Sequence, residues 1–306
     1  MVSLCILFAS SGSVFGQAKV GTTGATFLEI GVAARGMGMA EAYIAAVDDI
    51  SATYYNPAGL SYMQSGEAML SYVSLPADVT YGFVGAGLPL ETIGGVLGFS
   101  AYGLNSGDII RRTHENAPGI GTGQTFSSQD MAIAVSYGRY LTDRFSVGVT
   151  MRYISLNADD VSTSGWSADI GTMYDTGYRG FKIGMVISNF GPDLRYIEKE
   201  FPLPINFKFG STFNVVQTTD HIVTAAFEGA HPADNLEEYN GGLEYVYKNR
   251  YMLRVGERFN YDLDGLTFGG GLRLPFGEQS EFSLDYAYQD FGILTEVHRF
   301  SFGVSF

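Results

Sequence analysis

Alternation of apolar and polar residues with a period of two runs through most of this sequence and limits the folds open to it. Phe145 and Val147, for example, lie on either side of Ser146. A period of two places successive side chains on opposite faces of a β-strand. After residue 16, no apolar run approaches the roughly 18 residues that a membrane-spanning helix needs. The chain is therefore predicted to be all-β, as a soluble sandwich or as a membrane barrel.

Fourteen alternating windows follow one another from Glu67 onward, and Gly, Pro, Asn and Asp residues separate them. The predicted strands lie near 67–75, 79–89, 92–104, 126–140, 145–155, 165–175, 180–189, 205–215, 221–230, 237–247, 251–260, 266–274, 280–290 and 296–306. Bacterial single-chain barrels have an even number of strands, each of about 9–11 residues. Both the number and the length of the windows therefore favour a barrel.

The connections between the predicted strands sort by length into two alternating sets. One set has at most five residues in each connection: 90–91, 141–144, 176–179, 216–220, 248–250 and 275–279. The other set contains the three longest: 105–125, 156–164 and 190–204. Outer-membrane barrels have short periplasmic turns and longer external loops. We therefore predict a 14-stranded antiparallel transmembrane β-barrel over residues 67–306, in contact with the lipid of a Gram-negative outer membrane.

Residues 1–16 have the pattern of a secretory signal peptide, with an apolar run over 2–9 followed by small residues as far as Gly16. Cys5 is the only cysteine of the chain and lies in this stretch, so no disulfide is expected in the mature protein. The net charge of −14 opposes binding of nucleic acid. These features predict an exported envelope protein.

Residues 17–66 do not alternate and are predicted to form a separate N-terminal segment. Asp48 or Asp49 can cap a helix of about two turns, Pro57 marks its end, and Gly59 permits the turn that follows. A helix this short is unstable by itself. We therefore expect it to pack inside the barrel.

Three motifs in this segment carry a family resemblance: Ala34-Arg35-Gly36-Met37-Gly38, Asp48-Asp49 and Asn56-Pro57-Ala58-Gly59-Leu60. In this order they resemble the PorV/PorQ family of outer-membrane proteins, which is similar in turn to the FadL-type long-chain fatty-acid transporters. Further matching words continue as far as His298-Arg299-Phe300-Ser301, so the resemblance covers essentially the whole mature chain. It implies a barrel of 14 strands whose N-terminal segment forms a hatch in the lumen.

The resemblance implies two alternative functions. PorV-like members take part in type IX secretion, in which a barrel binds the C-terminal signal domain of cargo leaving the translocon, and PorQ-like members are associated with surface attachment of that cargo. FadL-like members pass hydrophobic small molecules through the barrel wall. A conduit should have an apolar pocket beside a gap in the wall, whereas a cargo-binding protein should have a closed wall and an adhesive external rim.

Eight charged residues at inward-facing positions are candidate lumen residues: Arg152, Lys182, Lys208, Glu244, Arg254, Arg273, Asp285 and Arg299. Buried charges need partners, and Arg suits bidentate pairing with carboxylates. We hypothesise that the basic members pair with acids of the N-terminal segment, namely Glu29, Glu41, Asp48 and Asp49. The alternative is a water-filled lumen in which the charges are solvated.

The chain ends in an alternating strand that includes Phe302, Val304 and Phe306. The resemblance to outer-membrane proteins in general implies that this aromatic-terminated strand is the signal read by the barrel-assembly machinery. The four His residues are scattered, and none has a partner at metal-ligand spacing. No Ser/His or Asp/His pair is marked as catalytic. We therefore expect neither an enzyme nor a bound cofactor or metal.

Overall fold

A computed structural model describes residues 21–112, 123–261, 265–276 and 280–306. Fourteen antiparallel strands form one closed barrel, as predicted. They are β1 Glu67–Ser74, β2 Thr80–Leu90, β3 Gly95–Asn105, β4 Ser128–Thr142, β5 Phe145–Ala158, β6 Val161–Asp175, β7 Lys182–Phe190, β8 Asn206–Gln217, β9 His221–Pro232, β10 Glu238–Tyr247, β11 Tyr251–Phe259, β12 Leu266–Phe276, β13 Ser280–Asp290 and β14 Glu296–Ser305. The predicted signal peptide lies outside the described residues.

The first and last strands pair with each other and close the sheet. Glu67 of β1 lies opposite Ser305 of β14, and Ser74 lies opposite His298. A closed sheet has no edge, so its backbone groups can be paired where no water is available. The wall is therefore compatible with hydrocarbon on its outer side.

The two ends of the barrel differ in their connections. At one end, which we call the short-turn end, the connections 91–94, 143–144, 176–181, 218–220 and 248–250 have two to six residues. At the other end, the loop end, the two longest connections each contain a two-stranded hairpin. These hairpins pair Ile109–Ile110 with Thr125–Phe126 and Leu194–Tyr196 with Lys199–Phe201.

The long loop predicted over 156–164 is wrong. Strands β5 and β6 continue pairing as far as Ala158 and Val161, which leaves a two-residue turn. Asp159 in this turn has a φ of 55°, in the left-handed region that two-residue hairpins require. Alternation in the sequence weakens there because the hairpin extends beyond the band of apolar side chains.

The outer surface of the barrel is apolar. Met151 and Tyr153 of β5 are 53% and 52% exposed, whereas Thr150 and Arg152 between and beside them face inward and are buried. The same alternation is present on the other strands and gives an outward band of Leu, Ile, Val, Phe and Tyr. Such a surface suits contact with lipid.

Residues 21–66, here called the N-terminal segment, run through the barrel from the loop end to the short-turn end. The amide N–H of Gly24 donates to the carbonyl oxygen of Pro202 at 2.9 Å, and that of Gly66 donates to Phe306 at 3.0 Å. Its helical turns are the 3₁₀ turn Thr26–Glu29, the α-helices Ala34–Gly38 and Ala52–Tyr55, and the 3₁₀ turn Pro57–Tyr62. No described helix combines the length and the apolar character needed to cross a membrane.

The predicted helix of about two turns is shorter than expected. Its α-helical part is the four-residue Ala52–Tyr55, after which Asn56 adopts an extended conformation. The carboxylate of Asp49 accepts the N–H of Ser51 at 2.9 Å and so stabilises the start of this turn. Gly59 is needed for close packing and not for a left-handed backbone conformation. A Cβ at Gly59 would lie 2.7 Å from the carbonyl oxygen of Val47.

Gly148 of β5 gives the best test of this packing. A Cβ at Gly148 would overlap the backbone of Pro57 and Ala58, which cannot move aside as a flexible side chain could. We expect Gly148→Ala to destabilise the barrel by about 1–3 kcal/mol through overpacking. The unfolding temperature in detergent, followed by the gel mobility of heated samples, measures the effect.

Gly82→Ala is the matched control, because the nearest atom to a Cβ there is 3.9 Å away. Equal unfolding temperatures for the two variants would contradict the placement of the N-terminal segment against β5.

Candidate functional site

The lumen contains a chain of ion pairs that joins the N-terminal segment to the wall. The guanidinium of Arg35 donates to Glu244 of β10 through Nε and Nη2, each at 3.0 Å. A third nitrogen of Arg35 contacts Asp48 at 2.5 Å. Glu244 also accepts from Arg254 of β11 at 2.6 Å, and Arg254 reaches Asp285 of β13 at 2.6 Å. Five alternating charges thus link the segment to three strands.

A second group of charges lies nearer the loop end. Glu41 of the N-terminal segment accepts from Arg299 of β14 at 2.8 Å, and Arg258 of β11 lies 3.8 Å away. Burial by itself raises the pKa of Glu41, but Arg299 and Arg258 outweigh burial and hold that pKa below its usual value. Glu41 is therefore ionised and fixed between two cations.

The acids near the short-turn end differ in their environments. Burial would raise the pKa of Asp48, yet Arg35, followed by Lys182 and Arg273, lowers it below the ordinary value. Burial raises the pKa of Asp49, which Arg35 only partly offsets. The hydroxyl of Tyr43 donates to Asp49 at 3.0 Å. Asp48 thus faces the predicted basic residues Lys182 and Arg273 across the lumen.

Other inward charges pair within the wall. Arg152 makes a bidentate contact with Asp169, at 3.2 and 2.5 Å. Lys208 lies 3.5 Å from Glu228. The second oxygen of Glu228 accepts from the backbone N–H of Tyr43 at 3.1 Å and so contacts the N-terminal segment.

Lys182 and Arg273, near the short-turn end, make weaker contacts. The ammonium of Lys182 lies 3.9 Å from the centre of the Tyr62 ring, which is cation–π geometry. Arg273 is 3.8 Å from Glu281, and both side chains are partly exposed. Neither contact fixes the N-terminal segment as firmly as the pairs of Arg35 and Glu41.

The hypothesis that wall bases pair with acids of the segment describes Arg299 and Glu41, but the arrangement around Arg35 is the reverse. There a base of the segment contacts a wall acid, Glu244. Four participants were absent from the predicted set: Asp169, Glu228, Arg258 and Glu281. Each occupies an inward position in a predicted strand, so the period-two alternation was sufficient to identify it as a lumen residue.

The side chain of Asn56 forms hydrogen bonds with three parts of the molecule. Its amide nitrogen donates to the carbonyl oxygens of Ile44 at 3.0 Å and of Thr172 in β6 at 3.3 Å. Its side-chain oxygen accepts the N–H of Ala58 at 3.2 Å. Pro57 follows directly and packs on β5. These contacts give the Asn-Pro-Ala-Gly motif a structural role at the wall.

The helix around Arg35 also needs small residues. A Cβ at Gly38 would lie 3.1 Å from the Cα of Gly269 in β12. A Cβ at Gly36 would lie 2.7 Å from the hydroxyl oxygen of Tyr55. Gly38 therefore lets the helix approach the wall closely enough for Arg35 to reach Glu244, whereas Gly36 lets Tyr55 of the same segment pack against the helix.

The predicted assembly signal lies on the outward face of β14. Phe302 lies opposite Leu70 of β1 and is 53% exposed. Phe306 directly follows β14, exchanges backbone hydrogen bonds with Gly66 and is 58% exposed. Val304 shares their face. Recognition of these residues by the barrel-assembly machinery stays a prediction.

The opposite side of the N-terminal segment is apolar. Tyr54 packs edge-on against Tyr102 of β3 with ring centroids 5.6 Å apart, and Phe27 lies 6.2 Å from the same ring. Ile50 and Leu60 are buried against β2 and β3. The segment is thus held by ion pairs on one side and by apolar contacts on the other.

Comparison with known proteins identifies the family to which this chain belongs. Residues 14–231 match the family described as type IX secretion system protein PorV. The chain belongs to the PorV family. The resemblance inferred from the motifs around Arg35, Asp48 and Asn56 is therefore confirmed at the level of family. No curated protein sequence matches the chain significantly.

Solved structures with a similar fold are outer-membrane channels. The CymD monoaromatic hydrocarbon channel has a TM-score of 0.59 and 14% identity, over 90% of this chain and 98% of that one. The Ralstonia pickettii toluene transporter TbuX has a TM-score of 0.59 and 14% identity, over 87% and 96%. A Pseudomonas aeruginosa FadL homologue has a TM-score of 0.57 and 10% identity, over 90% and 98%. At these identities the likeness shows the fold.

The family and the barrel place this PorV-family protein in the outer membrane of a Gram-negative bacterium. The short-turn end then faces the periplasm and the loop end faces outward. Family and fold are both non-enzymatic in kind. Within the described residues, no group of three or more His, Cys, Asp or Glu side chains has metal-binding geometry.

Arg35→Met tests the ion-pair chain. The change leaves the buried Glu244 with Arg254 as its remaining base, so we expect a loss of about 3 kcal/mol of stability. Adding Glu244→Gln should recover part of this loss, because it lowers the excess of buried negative charge that Arg35 no longer balances. Urea unfolding of the purified barrel in detergent gives both values, and strictly additive effects would show that the two residues do not interact.

Proposed function

We propose that this protein is a cargo-binding component of a type IX secretion apparatus, acting at the external face of the outer membrane. The observation that carries the proposal is a lumen filled by the N-terminal segment and crossed by ion pairs, in a chain that belongs to the PorV family. A filled lumen leaves the external rim as the surface available to a protein partner. The partner we propose is the C-terminal domain of secreted cargo or the translocon that releases it.

The cavities of the lumen favour this function over transport of hydrophobic molecules. A cavity of about 300 Å³ near the periplasmic end is lined by charged side chains that include Arg35, Asp48 and Arg273. A cavity of about 320 Å³ near the external end is lined by others that include Lys208 and Asp234. An apolar solute there would displace water from charged groups without replacing its hydrogen bonds, which is unfavourable.

The external rim carries exposed apolar side chains. Ile110 in the first hairpin is 53% exposed, and Ile197 between the strands of the second hairpin is 70% exposed. Leu236, in the connection between β9 and β10, is 46% exposed. Apolar groups exposed beyond the ends of the strands are suited to contact with a protein. They support a binding site made by the external loops.

Hydrophobic transport is the second candidate, and one feature of the wall favours it. Pairing between β6 and β7 shifts register between Ala168 and Ile170, and Asn189 beside it has a φ of 60°. Similar folds include a hydrocarbon channel and a toluene transporter. However, the Asn189 side chain donates to Pro204 at 3.0 Å and accepts from Arg152 at 2.8 Å, which keeps this part of the wall joined.

The double variant Ile110→Ser, Ile197→Ser tests cargo binding in a deletion strain complemented with the gene. Each side chain that cargo covers contributes about 1.5 kcal/mol, so we expect affinity to fall about tenfold for each. Cargo bearing the C-terminal signal should then decrease at the cell surface, as measured by surface labelling.

Tyr178→Ser is the matched control, because Tyr178 is 65% exposed in a periplasmic turn. The same strains are scored for toluene uptake. Normal cargo display in the deletion strain together with lost uptake would overturn cargo binding in favour of hydrophobic transport.

A further inference from the structure

Two polar cavities lie on opposite sides of a thin barrier in the lumen. The periplasmic cavity reaches Ala33 and Ser301, and the external cavity reaches Gly31 and Glu41. Ala33 is extended, so Gly31 and Ala33 are only about 7 Å apart along the chain. One layer of groups therefore separates the two cavities.

This layer is built on the pair between Glu41 and Arg299. Besides its 2.8 Å contact with Glu41, Arg299 donates to the carbonyl oxygen of Ala33 at 3.4 Å. The N–H of Ala33 donates to the hydroxyl of Tyr55 at 3.3 Å. The N–H of Ala34 donates to Ser301 at 2.9 Å. The barrier is thus polar and held by hydrogen bonds, unlike the aromatic packing on the opposite side of the segment.

Glu41 is held in a strained conformation at this point. Ala40 and Glu41 have φ values of 56° and 65°, a left-handed region that is unfavourable for residues other than glycine. The wall leaves room for this turn at Gly256 of β11. A Cβ at Gly256 would lie only 2.5 Å from the backbone nitrogen of Ala40. The N–H of Glu41 donates to the carbonyl oxygen of Gly36 at 2.8 Å and keeps the turn in place, so release of the Glu41–Arg299 pair would free the side chain of Glu41 without unfolding the turn.

Both cavities are lined by more acidic than basic side chains. The periplasmic lining has five acids and three bases, and the external lining has four acids and three bases. Burial raises the pKa of one external acid, Glu29, to about 7, so the excess of negative charge on that side grows as the pH rises through neutrality. Cavities with such linings hold water and favour hydrated cations over apolar molecules or anions.

We propose that Glu41 and Arg299 form the closed gate of a hydrophilic path between the two cavities, and that small hydrated cations cross the barrel when this pair separates. The path follows the charged wall formed by β10 to β14. The activity is separate from cargo binding and does not depend on it.

Gly31→Ala tests the gate without removing a charge. A Cβ at Gly31 would overlap the carboxylate of Glu41, which is the end of a flexible side chain and can move away from Arg299. The purified full-length protein is reconstituted in planar bilayers with potassium chloride. We expect about a tenfold rise in open probability, a change equivalent to about 1.4 kcal/mol, with potassium preferred over chloride.

Glu41→Gln is a second variant that keeps the shape of the side chain and weakens the same pair. Gly82→Ala is the control glycine variant, because its Cβ meets no atom closer than 3.9 Å. All proteins are first shown to be folded by the change in gel mobility on heating.

Raised, potassium-selective currents in both gate variants would support the proposal. Currents in Gly31→Ala and Glu41→Gln that match those of Gly82→Ala would overturn it, as would a preference for chloride. If Gly31→Ala does not fold, Glu41→Gln decides by itself.

Discussion

Charges on the inward face of a closed sheet need partners, and this requirement organises the lumen. The side chain of Arg254 has no exposed surface and lies between Glu244 and Asp285. Two acids on the wall leave a negative charge that Arg35 of the N-terminal segment balances. Removing the segment would leave Glu244 and Asp285 with Arg254 as their single base. The segment and the wall therefore stabilise one another.

The opposite side of the lumen supplies a different kind of contact. Apolar and aromatic groups of the segment pack on β2 and β3, and wall glycines such as Gly148 allow its backbone to approach closely. Helical turns of four to six residues gain little from their own hydrogen bonds. Their conformation is fixed by the ion pairs on one side and the apolar contacts on the other. Together these contacts set the position of the segment along the barrel axis and its rotation about that axis.

This arrangement connects the fold to both proposed activities. The filled and charged lumen argues for binding at the external rim and against passage of hydrocarbons. Where polar contacts replace apolar ones, the barrier between the cavities is only one layer thick, and there the Glu41–Arg299 pair separates them. A single architecture can thus carry a protein-binding surface and a cation path.

Local patterns predicted the strands because a period of two is set by the side chains of each strand alone. The hairpin at Ile109–Ile110 and the short turn at Asp159 were missed, since both lie beyond the apolar band that makes the pattern visible. Arg35 and Glu41 could be identified from a motif and from their charge. Glu244 and Arg299 were among the candidate lumen residues, but which charge each would meet could not be predicted, because Arg35 and Glu244 are 209 residues apart and meet only through the closure of the barrel.

The most direct test of a lipid-facing barrel with a packed lumen is the accessibility of alternate residues along β5. Single cysteines replace Ser146, Val149, Thr150 and Met151 in a Cys5→Ser background and carry nitroxide labels in reconstituted membranes. Labels at 149 and 151 should collide with oxygen dissolved in lipid, and labels at 146 and 150 should be shielded from both oxygen and a water-soluble nickel complex. Free access of the nickel complex to 146 and 150 would show an open, water-filled lumen and contradict the account.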